Sequence, residues 1–119
     1  MSTQEIANRL VELCRTWQNN KAYEELFADD AVAMEPEGFP DAVVKGKANL
    51  LKKSEEFGKM VTEMHDSSVS DPLVAGDFFA VNMMIDATME GRGRNKMEEL
   101  CVYEVKDGKI VKEQFFFHQ

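Results

Sequence analysis

Beyond residue 60 the chain is a series of apolar and polar runs broken at short intervals by turn residues. This pattern narrows the possible folds more than any other feature. The breaks are Ser70-Asp71-Pro72, Ala75-Gly76-Asp77, Gly91-Arg92-Gly93 and Lys106-Asp107-Gly108-Lys109. Between them lie four runs of strand composition: Val61 to Ser70, Phe78 to Met89, Lys96 to Val105 and Ile110 to His118. Asp107-Gly108 between two such runs is a hairpin signal, because glycine accepts the positive φ that tight hairpin turns need. The second half therefore reads as an antiparallel meander.

The first half reads differently. Ser2 or Thr3 caps a helix that carries Ile6, Leu10, Leu13, Cys14 and Trp17 at spacings of three and four, one buried stripe. Asn19-Asn20 ends it, and Lys21 to Ala28 forms a second short helix with Ala22, Tyr23, Leu26 and Phe27 on its apolar side. Ala31 to Met34 is short enough for a strand and stops at Glu35-Pro36-Glu37-Gly38, since proline cannot donate to a ladder. A loop through Phe39-Pro40-Asp41 leads past Val43, Val44 and Gly46 to a third amphipathic helix, Lys47 to Lys59. Helices followed by antiparallel strands indicate an α+β fold, with the helices packed on one face of a curved sheet. At 119 residues the chain is one domain, 1–119, large enough to build a core without disulfides or metal.

Charge removes several function classes. With 14 basic and 22 acidic residues the net charge is −8, which leaves no general attraction to nucleic acid or anionic lipid. No apolar run approaches a membrane span, and Met1-Ser2-Thr3-Gln4-Glu5 does not begin a secretory leader, so a soluble cytoplasmic protein is expected. Cys14 and Cys101 stand far apart with no neighbouring His or second Cys, which favours buried small hydrophobes over a zinc or redox site. Phosphate-binding glycine loops, zinc-helix motifs and nucleophile-elbow motifs are also missing. No metal or organic cofactor is indicated, and any chemistry must come from residues that the fold brings together.

Period two sorts each strand into two faces. On the second meander strand Phe79, Val81, Met83 and Ile85 share one face, while Phe78, Ala80, Asn82, Met84, Asp86 and Thr88 share the other. On the third, Leu100 and Val102 oppose Met97, Glu99, Cys101, Tyr103 and Val105; on the fourth, Gln114 and Phe116 oppose Glu113, Phe115 and Phe117. The first of these stripes is wholly apolar and must be hidden. A homodimer through the outer sheet face (Val81, Met83, Ile85, Leu100, Val102, Phe116) is the expectation.

These residues also carry a family resemblance. The helical hairpin, Leu26-Phe27-Ala28-Asp29-Asp30-Ala31-Val32, Gly46 before a helix, and Tyr103-Glu104-Val105-Lys106-Asp107-Gly108-Lys109-Ile110-Val111 resemble the nuclear transport factor 2-like superfamily in its SnoaL-like branch. The resemblance spans essentially the whole chain but specifies fold more than reaction. It implies an α+β cone in which a curved antiparallel sheet wraps a long helix around a deep apolar pocket, with dimers through the sheet's outer face. It also implies a hydrophobic or aromatic small-molecule partner, handled by isomerase, cyclase or dehydratase chemistry, or by a non-catalytic binding or dimerisation module. In ketosteroid isomerases the phrase matching Asp30-Ala31-Val32-Ala33-Met34-Glu35-Pro36 ends in the carboxylate that moves the substrate proton, so Glu35 looks like its counterpart. The oxyanion-hole tyrosine and protonated aspartate of those enzymes fall on Leu10 and Met97, and a nearby pocket carboxylate on Cys101. Steroid isomerisation by that route is therefore not expected.

The candidate catalytic residues are Glu35, Asp86, Glu99 and His65. Glu35 is either a pocket acid/base or a loop-edge acid beside Glu37 and Asp41. Asp86 needs a partner or a place near the rim. His65 either shuttles protons with Asp86 or Glu99 or is hydrogen-bonded structure. Glu99 has pocket-side parity, and a slip of one residue would exchange it with Glu98. If Glu35, Asp86 and Glu99 converge, like-charge repulsion raises at least one pKa. Trp17, Met34, Phe57, Asn82, Met84, Met97, Cys101, Tyr103, Glu113, Phe115 and Phe117 are candidate ligand-binding residues, each with ordinary packing as its alternative. Arg92, Arg94 and Lys96 form a basic loop that either attracts an anionic group or keeps the hairpin solvated, and His118 is expected at an exposed end.

Overall fold

The computed structural model describes residues 1–39 and 42–117; Pro40, Asp41 and His118 of the sequence reading lie outside the described residues. The chain opens with α1 (Thr3–Arg15), started by a capping box. The Ser2 hydroxyl accepts the Glu5 amide at 3.1 Å and the Glu5 carboxylate accepts the Ser2 amide at 2.9 Å, so two otherwise unpaired donors are satisfied. Ile6, Ala7, Leu10, Val11, Leu13 and Cys14 form its buried stripe. The helix ends in a Schellman motif: Gln18 N donates to Leu13 O at 2.9 Å and Trp17 N to Cys14 O at 3.1 Å. Trp17 occupies the left-handed position of this motif with φ 60°, a conformation that costs a bulky L-residue about 1 kcal/mol.

α2 (Asn19–Leu26) runs directly into β1 (Phe27–Met34), which begins four residues earlier than the composition of Ala31 to Met34 suggests. After the loop come β2 (Val43–Lys45), α3 (Lys47–Met60), β3 (Val61–Val69), β4 (Leu73–Ala75), β5 (Phe78–Met89), β6 (Gly93–Lys106) and β7 (Lys109–Phe116). Gly46 starts α3 at φ 91°, where its amide reaches Ala31 O at 2.7 Å; a β-carbon there would strain the backbone. Asp107 and Gly108 both have positive φ, 52° and 74°, as a type I′ hairpin between β6 and β7 requires.

The seven strands form one sheet in the order β2-β1-β7-β6-β5-β3, with β4 also on β5. β5, β6 and β7 make the expected antiparallel meander, and β3 adds to it antiparallel. The sheet is nonetheless mixed, because β1 pairs with β7 in parallel. The helices cover one face, so the α+β expectation holds. Their apolar stripes meet Phe79, Val81, Cys101, Tyr103, Val105 and Ile110 in the core.

The ladder overturns one face assignment. Phe79, Val81, Met83 and Ile85 stand opposite Tyr103, Cys101, Glu99 and Met97, so all eight point toward the helices. Val81, expected on an outer dimer face, is 1% exposed in the core, and Met83 packs against that core. Parity tells which residues share a face but not which face the helices take, and here the wholly apolar stripe is the one that they cover. The outer face carries Phe78, Ala80, Asn82, Met84 and Asp86 on β5, Leu100 and Val102 on β6, and Gln114 and Phe116 on β7.

Candidate functional site

β5 leaves the core as it runs. Phe79 and Val81 lie beneath α1, but the helix stops at Arg15, and the next helix-facing residues, Met83 and Ile85, line open space instead. The result is a cavity of about 670 Å³ between the end of α1, the start of α2, the C-terminal half of α3 and strands β3 and β5. Its wall is mainly apolar: Trp17 after α1, Phe57 on α3, Met64 and Val69 on β3. Two neutral hydrogen bonds cross it. Trp17 Nε1 donates to Ser67 Oγ at 2.7 Å, and Ser54 Oγ donates to Asn20 Oδ1 at 2.7 Å.

Three carboxyl groups and one ammonium stand on the neighbouring inner surface. Glu99 lies directly across the β5–β6 ladder from Met83 of the cavity wall. Its Oε1 accepts the Cys101 thiol at 3.6 Å, a weak bond for a carboxylate. Removal from water and, second, the charge of Glu35 push the Glu99 pKa up to about 7, while the Cys101 thiol and Lys53 oppose the rise. Glu35, just past β1, accepts Lys53 Nζ at 2.7 Å; Lys53 projects from α3 next to Ser54 of the wall. Glu113, on β7, is 3% exposed and accepts the Tyr23 hydroxyl at 2.7 Å. Burial pushes it to about 7 as well; bonds from Tyr23 and Tyr103 oppose this, and Glu99 and Glu35 add to it. The same environment holds both tyrosines well above their usual range.

Glu35 lies close enough for its charge to act on Glu99, but Asp86 and His65 stand apart from them. Asp86 lies on the outer face, where Arg94 grips it with both nitrogens at 3.1 and 2.9 Å. That pairing holds Asp86 below the usual carboxylate range. His65 occupies a bulge of β3 and bonds Thr88 Oγ1 at 2.7 Å, also outside. The structure therefore places both on the face opposite Glu35 and Glu99, because the inverted face of β5 carries Asp86 and Thr88 outward. Arg94 of the basic loop is explained by the same pair.

Among the candidate ligand residues, Trp17 and Phe57 line the cavity, while Met84 borders it with its side chain on the outer face. Asn82 is exposed on the outer face, and Met34 shares that face with its partner Gln114. Met97 stands opposite Ile85 of the wall. Cys101 and Tyr103 point inward but are fully packed, Tyr103 stacked on Phe79 at 4.7 Å between ring centroids. Phe115 packs against the core, and Phe117 meets Phe39 edge-on at 5.2 Å. Both cysteines are buried and free, and burial raises the Cys14 thiol to about 12. Sequence reasoning missed Lys53, Tyr23 as a partner of Glu113, and Ser67. Lys53 sits three residues after the buried Leu50 on α3, a spacing that puts it on the same face of that helix. Among the described residues no group of three or more His, Cys, Asp or Glu side chains could hold a metal ion, and no helix is long and apolar enough to cross a membrane.

A curved sheet closed by helices around an off-centre apolar cavity defines the cystatin-like, nuclear transport factor 2-like class of α+β proteins. Residues 1–117 match the model of the SnoaL-like domain, and the chain belongs to that family. A candidate SnoaL-like polyketide cyclase from Mesorhizobium loti is 38% identical, with a TM-score of 0.92 over 98% of this chain and 100% of that one. A cystatin-like fold protein of unknown function from Xanthomonas campestris is 19% identical, with a TM-score of 0.80 over 98% and 90% of the two chains. A ketosteroid isomerase-like fold protein from Catenulispora acidiphila, in complex with trimethylamine, is 14% identical, with a TM-score of 0.74 over 95% and 85%. The latter two show the fold alone. No curated protein sequence matches the chain.

Proposed function

We propose that this SnoaL-like protein binds an apolar metabolite in the cavity beside β5 and carries out acid/base chemistry of the isomerase, cyclase or dehydratase kind, with Glu99 as the proton-transfer group. One observation carries the reading. Glu99 is a largely buried carboxyl beside the cavity wall, weakly bonded, and titrates near neutral pH. Such a group is part acid and part base under working conditions, which is what general acid/base catalysis needs. The sequence reading gave this role to Glu35, but that carboxylate is engaged by Lys53. Glu35 instead helps to raise Glu99, and Lys53 supplies a positive charge beside it, suited to an enolate-like oxygen developing as Glu99 takes a proton. The 38%-identical candidate cyclase agrees with this class of chemistry.

A thermal-shift screen with hydrophobic enones, polyketide-like aromatics and terpenoid epoxides, followed by turnover assays on each stabilising compound, tests the proposal. Glu99→Gln should keep the ligand shift and lose roughly 100- to 10,000-fold in turnover. Stabilising ligands with no turnover in the wild type would leave a binding module in place of an enzyme. Unchanged turnover in Glu99→Gln would remove Glu99 from the role.

A further inference from the structure

Trp17 is the chain's one tryptophan, and three independent features single it out. It holds a helix-terminating position at φ 60° where glycine is the usual occupant, so its presence is not explained by the turn. It is 59% exposed, so burial does not explain it either. Yet the indole is held: its Nε1 donates to Ser67 Oγ on β3 at 2.7 Å, which ties the ring from the end of α1 across to the far wall. Large, exposed aromatic side chains are ordinarily free to rotate. This one is fixed by its backbone at one end and by a hydrogen bond at the other, and it lines the cavity. A non-glycine residue kept in a left-handed conformation points to a function that the local fold does not demand.

We propose that Trp17 is the specificity-determining residue of the cavity, a fixed flat wall that favours a planar conjugated ring over a puckered saturated one of equal size. The inference rests on the reading of this cavity as the ligand site. Elsewhere the wall is adaptable: Met64, Met83, Ile85 and Val69 accept many shapes and give little discrimination by themselves. Phe57, 39% exposed on α3, is the other aromatic in the wall and lacks a polar tether of its own. An aromatic face fixed in advance loses no rotational freedom when a ring stacks on it, so the stacking gain is kept for planar ligands. A saturated ring of the same volume fills the space without it. Ser67 acts through Trp17, as a positioning residue.

The test uses two neutral probes of matched size, 2-naphthol and its saturated counterpart trans-2-decalol, titrated calorimetrically into four proteins. The wild type should prefer naphthol by about five- to tenfold, the upper part of the roughly two- to tenfold worth of one aromatic pair. Trp17→Leu, which removes the flat face, should reduce that preference to about threefold or less, with naphthol affinity falling more than decalol affinity, and its urea midpoint checks that the variant is folded. Trp17→Phe should restore most of the preference, and Ser67→Ala should weaken it with Trp17 still present. Equal affinity of the wild type for both probes, or a preference that survives in Trp17→Leu, would overturn the assignment while leaving the cavity as a ligand site. Failure of both probes to bind the wild type would overturn the cavity reading and this inference with it.

Discussion

Glu113 makes stability depend on pH in a direction opposite to the usual acidic residue. Its carboxyl is buried between two tyrosines, and its pKa rises from 4.5 to about 7 on folding. Below pH 4.5 both folded and unfolded chains hold the proton, and folding is indifferent to it. Between 4.5 and 7 the unfolded chain releases the proton while the folded chain retains it. Stability must then fall as pH rises, by about 1.4 kcal/mol per pH unit at the steepest, and by roughly 3 kcal/mol in all once the pH exceeds 7. Glu113→Gln removes the ionisable group and retains an oxygen for the Tyr23 hydroxyl, which now donates at 2.7 Å. The variant should match the wild type within about 1 kcal/mol at pH 5 and exceed it by roughly 1 to 3 kcal/mol at pH 8. Urea denaturation from pH 5 to pH 9 measures this directly. Glu99 titrates in the same window, so the single variant should flatten the profile in part, and the double variant with Glu99→Gln should flatten it further. A wild-type stability that is constant or rises from pH 5 to pH 8, or an unaltered slope in Glu113→Gln, would refute the reasoning.

Two further outcomes follow from the placement of the faces. Asp86→Asn breaks the pair with Arg94 on the outer sheet face, away from the cavity; it should leave ligand-induced melting shifts and turnover at wild-type levels, and a loss of binding would return Asp86 to the site. The outer face still presents an apolar cluster in which Leu100 and Phe116 are direct ladder partners, 44% and 48% exposed. We propose that a second copy covers it, so light scattering should give twice the 13.5 kDa of one chain, and Leu100→Glu with Phe116→Glu should return the single-chain mass. A 13.5 kDa wild-type particle at micromolar concentration contradicts the dimer.

Much of the fold was legible because its signals are local. The helix cap at Ser2 or Thr3, the stripe of Ile6, Leu10, Leu13 and Cys14, the span of Phe78–Met89 and the Asp107-Gly108 hairpin each depend on a few adjacent residues. The short β2 and β4 were not legible, since three-residue strands carry too little pattern and exist only because a neighbouring strand offers a ladder. The parallel pairing of β1 with β7 joins residues such as Ala33 and Glu113, and no local rule relates them.

The amino-acid sequence by itself determined which residues of each strand share a face, and so placed Glu99 with Met97 and Cys101, and Phe79 with Val81. Which face lies under the helices was decided only in the tertiary structure. A pleated strand looks the same from either side, and the choice depends on how much apolar area α1 can cover. That choice put Val81 in the core, carried Asp86 outward to Arg94, and set Met83 opposite Glu99. The proton affinity of Glu99 has the same origin. Its neighbours Glu35 and Lys53 come from β1's end and from α3, and their effect depends on a proximity and a loss of water that exist only once those elements have packed together.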